Sequence, residues 1–174
     1  VAHFADNADF RFVLHDVTEY IFLSGPVEAI LHFASPASPI DYLELPIQTL
    51  KVGAMGTHKA LGLAKAKGAR FLLASTSEVY GKSAKVPFQE DDDLVMGPTT
   101  HSRWAYACSK ALDEWLAFAY QREKGVPVTI ARLFNTVGPR QVAHYGMVLP
   151  SFAKQALDGA PITVYGDGKQ ARCF

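Results

Sequence analysis

The chain has 174 residues, 49% of them hydrophobic, enough to bury one real core but short for more than one large domain. Lysine plus arginine and aspartate plus glutamate both number 17, so the formal net charge is zero and no basic stripe points to a nucleic-acid partner. Cys108 and Cys173 lie far apart without any CxxC or Cys/His spacing, which argues against a structural zinc site or a disulfide framework and fits a reducing, cytoplasmic setting.

No apolar stretch approaches the ~18 residues of a membrane span, and no basic-then-apolar leader opens the chain, so we expect no membrane partner. Val1 stands where a methionine would start a gene product and Phe174 follows a turn-rich stretch; both ends read as cut. In chain order, Phe10, Phe12 and Leu14 alternate with Arg11, Val13 and His15, the pattern of a short strand ending at Asp16. Val27 to Ala34 is almost continuously apolar, as a parallel strand covered on both faces requires. From Pro46 to Lys67 apolar residues recur at helical spacing, and Gly68 supplies the stop. A strand over 70–75 follows. After a polar, proline-bearing loop from Gly81 to Ser102, the spacing predicts an amphipathic helix over 104–124 ending at Gly125. A buried strand over 128–133, a short helix over 152–157 and a short strand over 162–165 before a Gly166-Asp167-Gly168 turn complete the chain.

Strands alternating with helices imply a doubly wound parallel α/β sheet, because parallel neighbours need a crossover and a helix usually provides it. Ligands bind at the carboxyl ends of such strands. Polar groups fall at those positions: His15-Asp16, Ser35, Ser75-Thr76-Ser77-Glu78 and Asn135.

Tyr106 and Lys110 are four apart on the long helix and so share one face. A phenol with an ordinary pKa of ~10 is a poor base at neutral pH, and a nearby ammonium favours its phenolate. Some thirty residues earlier stands the hydroxyl cluster Ser75-Thr76-Ser77-Glu78-Val79-Tyr80-Gly81. Such a cluster by itself is equally a Ser/Thr-rich turn after a strand.

Taken together, the hydroxyl cluster, Tyr106 and Lys110 resemble the Ser/Thr-Tyr-Lys triad of the short-chain dehydrogenase/reductases. His32-Phe33-Ala34-Ser35, Gly56-Thr57, the segment from Arg132 to Arg140, and Val164 to Gly168 with Arg172 resemble the extended, sugar-nucleotide branch of that family, over about 16–174. The resemblance implies a Rossmann-like fold that binds NAD, with residues 1–149 as a partial dinucleotide-binding domain and 150–174 as the start of a sugar-nucleotide-binding region. It implies adenine contacts from Asp16 and Val17, and cofactor contacts from Phe33, Ala34, Ser35 and Ser75. Thr76 is then the triad hydroxyl, Tyr106 the base, and Lys110 the residue that tunes Tyr106 and holds the nicotinamide ribose. Glu78 matches an acidic position in relatives that do further chemistry after oxidation. Ser77 and Asn135 are expected on the sugar nucleotide, with Arg140 and Arg172 on its diphosphate, since a guanidinium suits bidentate contact with phosphate oxygens.

Two departures stand out. The Gly-x-x-Gly-x-x-Gly loop that cradles a cofactor pyrophosphate is missing from these residues, as is the first strand-turn-helix that carries it. Gly53 stands where relatives often have an asparagine. The resemblance further implies oxidation of a nucleotide-diphosphate sugar, a UDP-sugar by preference, at C4. From the 4-keto stage, C4 epimerisation is the first expectation and decarboxylation of UDP-glucuronate the alternative; dehydration comes third, because Ser77 stands where dehydratases usually have an aspartate. A non-catalytic sugar-nucleotide-binding fragment is the reading from another class. Leu112, Trp115 and Leu116 are candidates either for a homodimer face or for ordinary core.

Overall fold

In the computed structural model, residues 2–141 and 147–169 are described; Arg172 and Cys173 lie outside them. A 3-10 turn at Ala2–Phe4 is followed by strand β1 (Ala29–His32), helices α1 (Pro39–Glu44) and α2 (Pro46–Lys51), a π-turn (Val52–Gly56) and helix α3 (Thr57–Lys67). Next come β2 (Arg70–Thr76), a 3-10 turn (Ser77–Tyr80), the long helix α4 (Trp104–Lys124), β3 (Val128–Leu133) and α5 (Val148–Leu157). The strands form one parallel sheet in the order β1-β2-β3. Leu31 pairs with Leu72, and Leu73 with Ile130, so the carboxyl ends of all three strands lie at the same edge.

The expected helix over 46–67 forms, with a π-turn in its middle. That turn lies where the chain crosses α4, and a side chain on Gly53 would run into Ser109 of α4. Gly68 ends α3 and Gly125 ends α4, each in the left-handed region (φ 64° and 69°) that glycine adopts without a Cβ penalty.

Helices α3 and α4 pack side by side on one face of the sheet. The core there consists of Ala60, Leu61 and Ala64 from α3, Phe71 and Leu73 from β2, Ala117 from α4 and Val126. Side chains on a strand alternate between faces. Ile30, Phe71, Leu73 and Ile130 therefore join this core, while Leu31 projects from the opposite face and is 65% exposed. The continuous apolar run anticipated a sheet covered on both faces; among the described residues one face is covered.

Two expected strands are absent. Residues 10–16 are irregular, and Phe12 and Leu14 are 69% and 90% exposed. Residues 162–165 are likewise irregular. Alternation makes a strand only where a neighbouring strand accepts its backbone hydrogen bonds, and neither segment has such a neighbour among the described residues. Helix α1 was not anticipated, although Pro39 at its first turn is a helix-start signal. Helix α5 begins at Val148 and so crosses the domain boundary expected at 149. No helix among the described residues is long and apolar enough to cross a membrane. Leu116 packs against the core, whereas Leu112 is 39% and Trp115 63% exposed.

Candidate active site

The carboxyl edge of the sheet opens into a cleft of about 810 Å³, lined from every strand end. β1 leads into Phe33 and Ser35, β2 supplies Ser75 and Thr76, and β3 leads into Asn135. Ser77 and Glu78 of the 3-10 turn, Tyr106 and Lys110 of α4, and Arg140 complete the set of expected residues on its wall. Ten positions far apart in sequence thus meet where a doubly wound sheet places its ligand.

Local structure explains how the reactive groups come to be there. β2 ends at Thr76, whose side-chain oxygen accepts a hydrogen bond from the backbone N–H of Glu78 at 3.2 Å, capping the 3-10 turn and turning Glu78 to the cleft. The Thr76 hydroxyl also acts on the Tyr106 phenol, favouring its charged form. Glu78 is held from the other side by Arg103, 3.2 Å away. Below them, Ser75 donates to the Glu114 carboxylate, which in turn receives a forked pair of bonds from Arg132. This buried bracket ties β2, α4 and β3 together directly under the cleft.

Tyr42 of α1, which the sequence did not single out, stacks on Tyr106 with ring centroids 5.1 Å apart and planes 3° from parallel. Burial pushes the Tyr106 phenol above its ordinary pKa; the Thr76 hydroxyl opposes this, and the carboxylates of Glu78 and Asp113 add to it. The Lys110 ammonium is 3.4 Å from Asp113, a residue that sequence reasoning also passed over. Arginine 103 was missed too; its proximity to the cleft depends on a fold of the 81–102 loop that local pattern does not reveal.

Of the cofactor-side residues, Phe33 and Ser35 line the cleft, and Ala34 lies half-buried between them. Ser35 Oγ is buried and without a hydrogen-bond partner among the described residues. An orphaned hydroxyl on a cleft wall is costly unless a ligand completes it, so this end of the cleft fits a cofactor rich in hydroxyl and phosphate groups. Asp16 and Val17 are not on the cleft wall. The Asp16 carboxylate accepts from the N–H and hydroxyl of Thr18, at 2.9 Å each, and Val17 packs against Gly56. Arg140 adopts a left-handed backbone (φ 67°), a conformation that costs a non-glycine residue energy and concentrates at ligand sites. Its expected companion, Arg172, lies outside the described residues.

The model for the family described as "NAD dependent epimerase/dehydratase family" matches residues 3–174. A UDP-glucuronic acid decarboxylase 1 of Xenopus tropicalis is 44% identical over the whole chain, which spans 41% of that protein. A dTDP-glucose 4,6-dehydratase of Streptomyces venezuelae, solved with NAD bound, superposes with a TM-score of 0.79 at 28% identity, over 98% of this chain and 52% of that one. A UDP-glucuronic acid 4-epimerase of Bacillus cereus, solved with UDP-glucuronic acid and NAD, gives 0.60 at 29% identity over 72% of this chain and 37% of that one. The chain therefore spans about half or less of the proteins it resembles. Its parallel sheet, and the hydroxyl, phenol and ammonium gathered at the carboxyl edge, agree with a match that runs almost end to end: the chain belongs to the NAD-dependent epimerase/dehydratase family.

Proposed function

We propose that the chain carries the catalytic part of an enzyme that oxidises C4 of UDP-glucuronate and releases its C6 carboxylate as carbon dioxide. The observation that carries this reading is Glu78, the one carboxylate on the cleft wall among the described residues, set beside Thr76 and Tyr106. The 44% identity to a UDP-glucuronic acid decarboxylase supports it.

Bound in the cleft, NAD supplies the reversible two-electron oxidation of the sugar. Ser35, with Phe33 and Ala34 beside it, would hold the cofactor, and Lys110 its ribose. Tyr106 takes the proton of the C4 hydroxyl while Thr76 hydrogen-bonds the same oxygen. The ketone so formed is β to the carboxylate. The C5–C6 bond then breaks, its electron pair moves into the C4–C5 enolate, and carbon dioxide leaves. Thr76 and Tyr106 would donate to the enolate oxygen. C5 must next gain a proton, and Glu78 is the cleft group we assign to that transfer; reversal of the C4 oxidation, with Tyr106 giving its proton back to the C4 oxygen, then yields UDP-xylose. Arg140 and Asn135 would hold the nucleotide diphosphate, Arg140 through its forked donors.

C4 epimerisation remains the second reading, because Thr76, Tyr106 and Lys110 suffice for it and a UDP-glucuronic acid 4-epimerase has the same fold. Both readings share one substrate, so one experiment separates them. UDP-glucuronate labelled with carbon-13 at C6 is incubated with the protein and NAD and followed by NMR. Labelled carbon dioxide with UDP-xylose is the expected result. Label retained in UDP-galacturonate would replace decarboxylation by epimerisation, and binding without any turnover by folded protein would leave only a sugar-nucleotide-binding role.

A further inference from the structure

One fully buried charge has no part in the steps above. Asp113 lies one turn after Lys110 on α4, is 0% exposed, and sits with its carboxylate 3.4 Å from the Lys110 ammonium, which is itself only 2% exposed. Residues three apart on a helix are neighbours on its surface, so the same turn that presents Tyr106 and Lys110 also presents Asp113.

The surroundings are built to receive this pair. From β1 comes His32; with the proton on Nε2 it donates to Thr57 Oγ1 of α3 across 3.0 Å, and the Thr57 hydroxyl in turn favours the charged form of the Asp113 carboxylate. Neither carboxylate oxygen makes a well-formed hydrogen bond among the described residues. The π-turn contributes a missing side chain. A Cβ on Gly53 would stand 1.9 Å from Ser109 Oγ and 3.3 Å from Asp113 Oδ1. Helix α2 closes the remaining side through the Thr49 carbonyl, which accepts from Ser109 Oγ at 3.4 Å. The other ionisable groups that act on the pair or on Tyr106 are Glu114 on α4, Glu78 on the 3-10 turn and Tyr42 on α1.

An ammonium in so dry a place tends to give up its proton, and its four-carbon stem is free to turn unless something holds it. A carboxylate at ion-pairing distance counters both tendencies. We propose that Asp113 is a positioning residue that keeps Lys110 charged and fixes its side chain on the Tyr106 face of α4, with the bare backbone of Gly53 leaving the room it needs. The catalytic meaning of Lys110 rests on the function proposed above; the ion pair does not. Burial pulls Lys110 below the ordinary lysine range, and Asp113 is the group that pulls it back up.

Lysine labelled with carbon-13 at Cε reports the charge of Lys110 without any need for turnover, Lys110→Met assigning the signal. In Asp113→Asn the titration midpoint of Lys110 should fall by about one to three pH units; an unchanged midpoint overturns the proposal. Should Asp113→Asn fail to fold, urea unfolding of Lys110→Met with and without Asp113→Asn decides. Adding the second change should raise the unfolding midpoint, because it removes a carboxylate that has lost its partner; a further drop overturns the proposal. In protein that turns over UDP-glucuronate, the activity profile of Asp113→Asn should move to lower pH, since Lys110 then loses its charge earlier and Tyr106 is relieved of a neighbouring carboxylate. A shifted Lys110 midpoint in protein without turnover retains the positioning role and removes the proposed reaction.

Discussion

The rings of Tyr42 and Tyr106 lie parallel, 3° apart in plane and 5.1 Å between centroids, with Tyr42 itself 7% exposed. This stack forms one wall of the cleft and is a large part of what keeps the Tyr106 phenol dry. Removing it should act twice. Tyr42→Ala is expected to destabilise the fold by about 3 kcal/mol, as large-to-small changes at buried aromatics do, and to let water reach Tyr106, lowering the pKa that burial holds up. The acid limb of the activity profile should then move to lower pH while turnover at its optimum falls. Tyr42→Phe keeps the ring and should change stability by less than about 1 kcal/mol. Urea unfolding and a pH-rate profile of the two variants together distinguish a wall from a merely polar contact.

Glu114 and Arg132 form the other support of the site. Arg132 donates to both carboxylate oxygens at 2.8–3.2 Å, its guanidinium lying 4.8 Å over the Tyr80 ring. A buried pair contributes little by existing, but breaking it leaves a dry, unmatched charge. Glu114→Gln should therefore lower unfolding stability by about 3 kcal/mol, and Arg132→Lys, which keeps the charge but loses the fork, by a smaller amount. Replacing both at once with Glu114→Leu and Arg132→Met should recover most of the loss. Equal and additive losses in a double-mutant cycle would mean that the two side chains act separately.

Much of this arrangement was legible in the sequence because the signals were local. The 104–124 helix and the 128–133 strand form with the bounds that their periodicity and Gly125 indicate, and the four-residue spacing of Tyr106 and Lys110 places both on the cleft. What failed was whatever depends on a neighbour. The alternation at 10–14 needs a pairing strand and has none among the described residues. Asp113 reads in sequence as one more solvated helix charge, and only packing of the π-turn and α3 against α4 reveals it as fully buried. Spacing likewise places Lys110 one turn from Tyr106, but spacing does not show that a buried carboxylate stands 3.4 Å from its ammonium.

His32 makes burial a matter of pH. Its imidazole is 5% exposed, and burial, with the Lys110 charge beside it, pulls its pKa down from 6.5 to about 4. The unfolded chain binds this proton more readily than the folded one between those values, so stability is complete above about pH 6.5 and is lost as pH falls toward 4. A shift of that size corresponds to about 3 kcal/mol. His32→Gln offers Thr57 a hydrogen-bonding group that does not titrate, and should flatten the loss between pH 6.5 and 4.5. Urea midpoints at those two values check it: a slope unchanged by the substitution would assign the acid sensitivity to other groups.

Gly81 holds the acidic end of the cleft in place. It follows the 3-10 turn that carries Glu78, adopts φ 64° with ψ −119°, and is bridged to Val95 of the long loop. A Cβ here would stand 2.3 Å from the Val95 carbonyl oxygen, backbone against backbone, where no side-chain rotation relieves the contact. Gly81→Ala therefore combines a disfavoured dihedral pair with a forced shift of the loop, and about 2 kcal/mol or more of destabilisation is expected. The shift should propagate to Glu78, which the turn aims, and to its Arg103 partner beyond the same loop. If Glu78 delivers the proton to C5, turnover in Gly81→Ala should fall more than UDP-glucuronate binding does, measured as kcat against KM at a temperature where the variant is still folded. A proportionate loss of stability with kcat and KM both unchanged would show that the bridge shapes the loop without reaching the site.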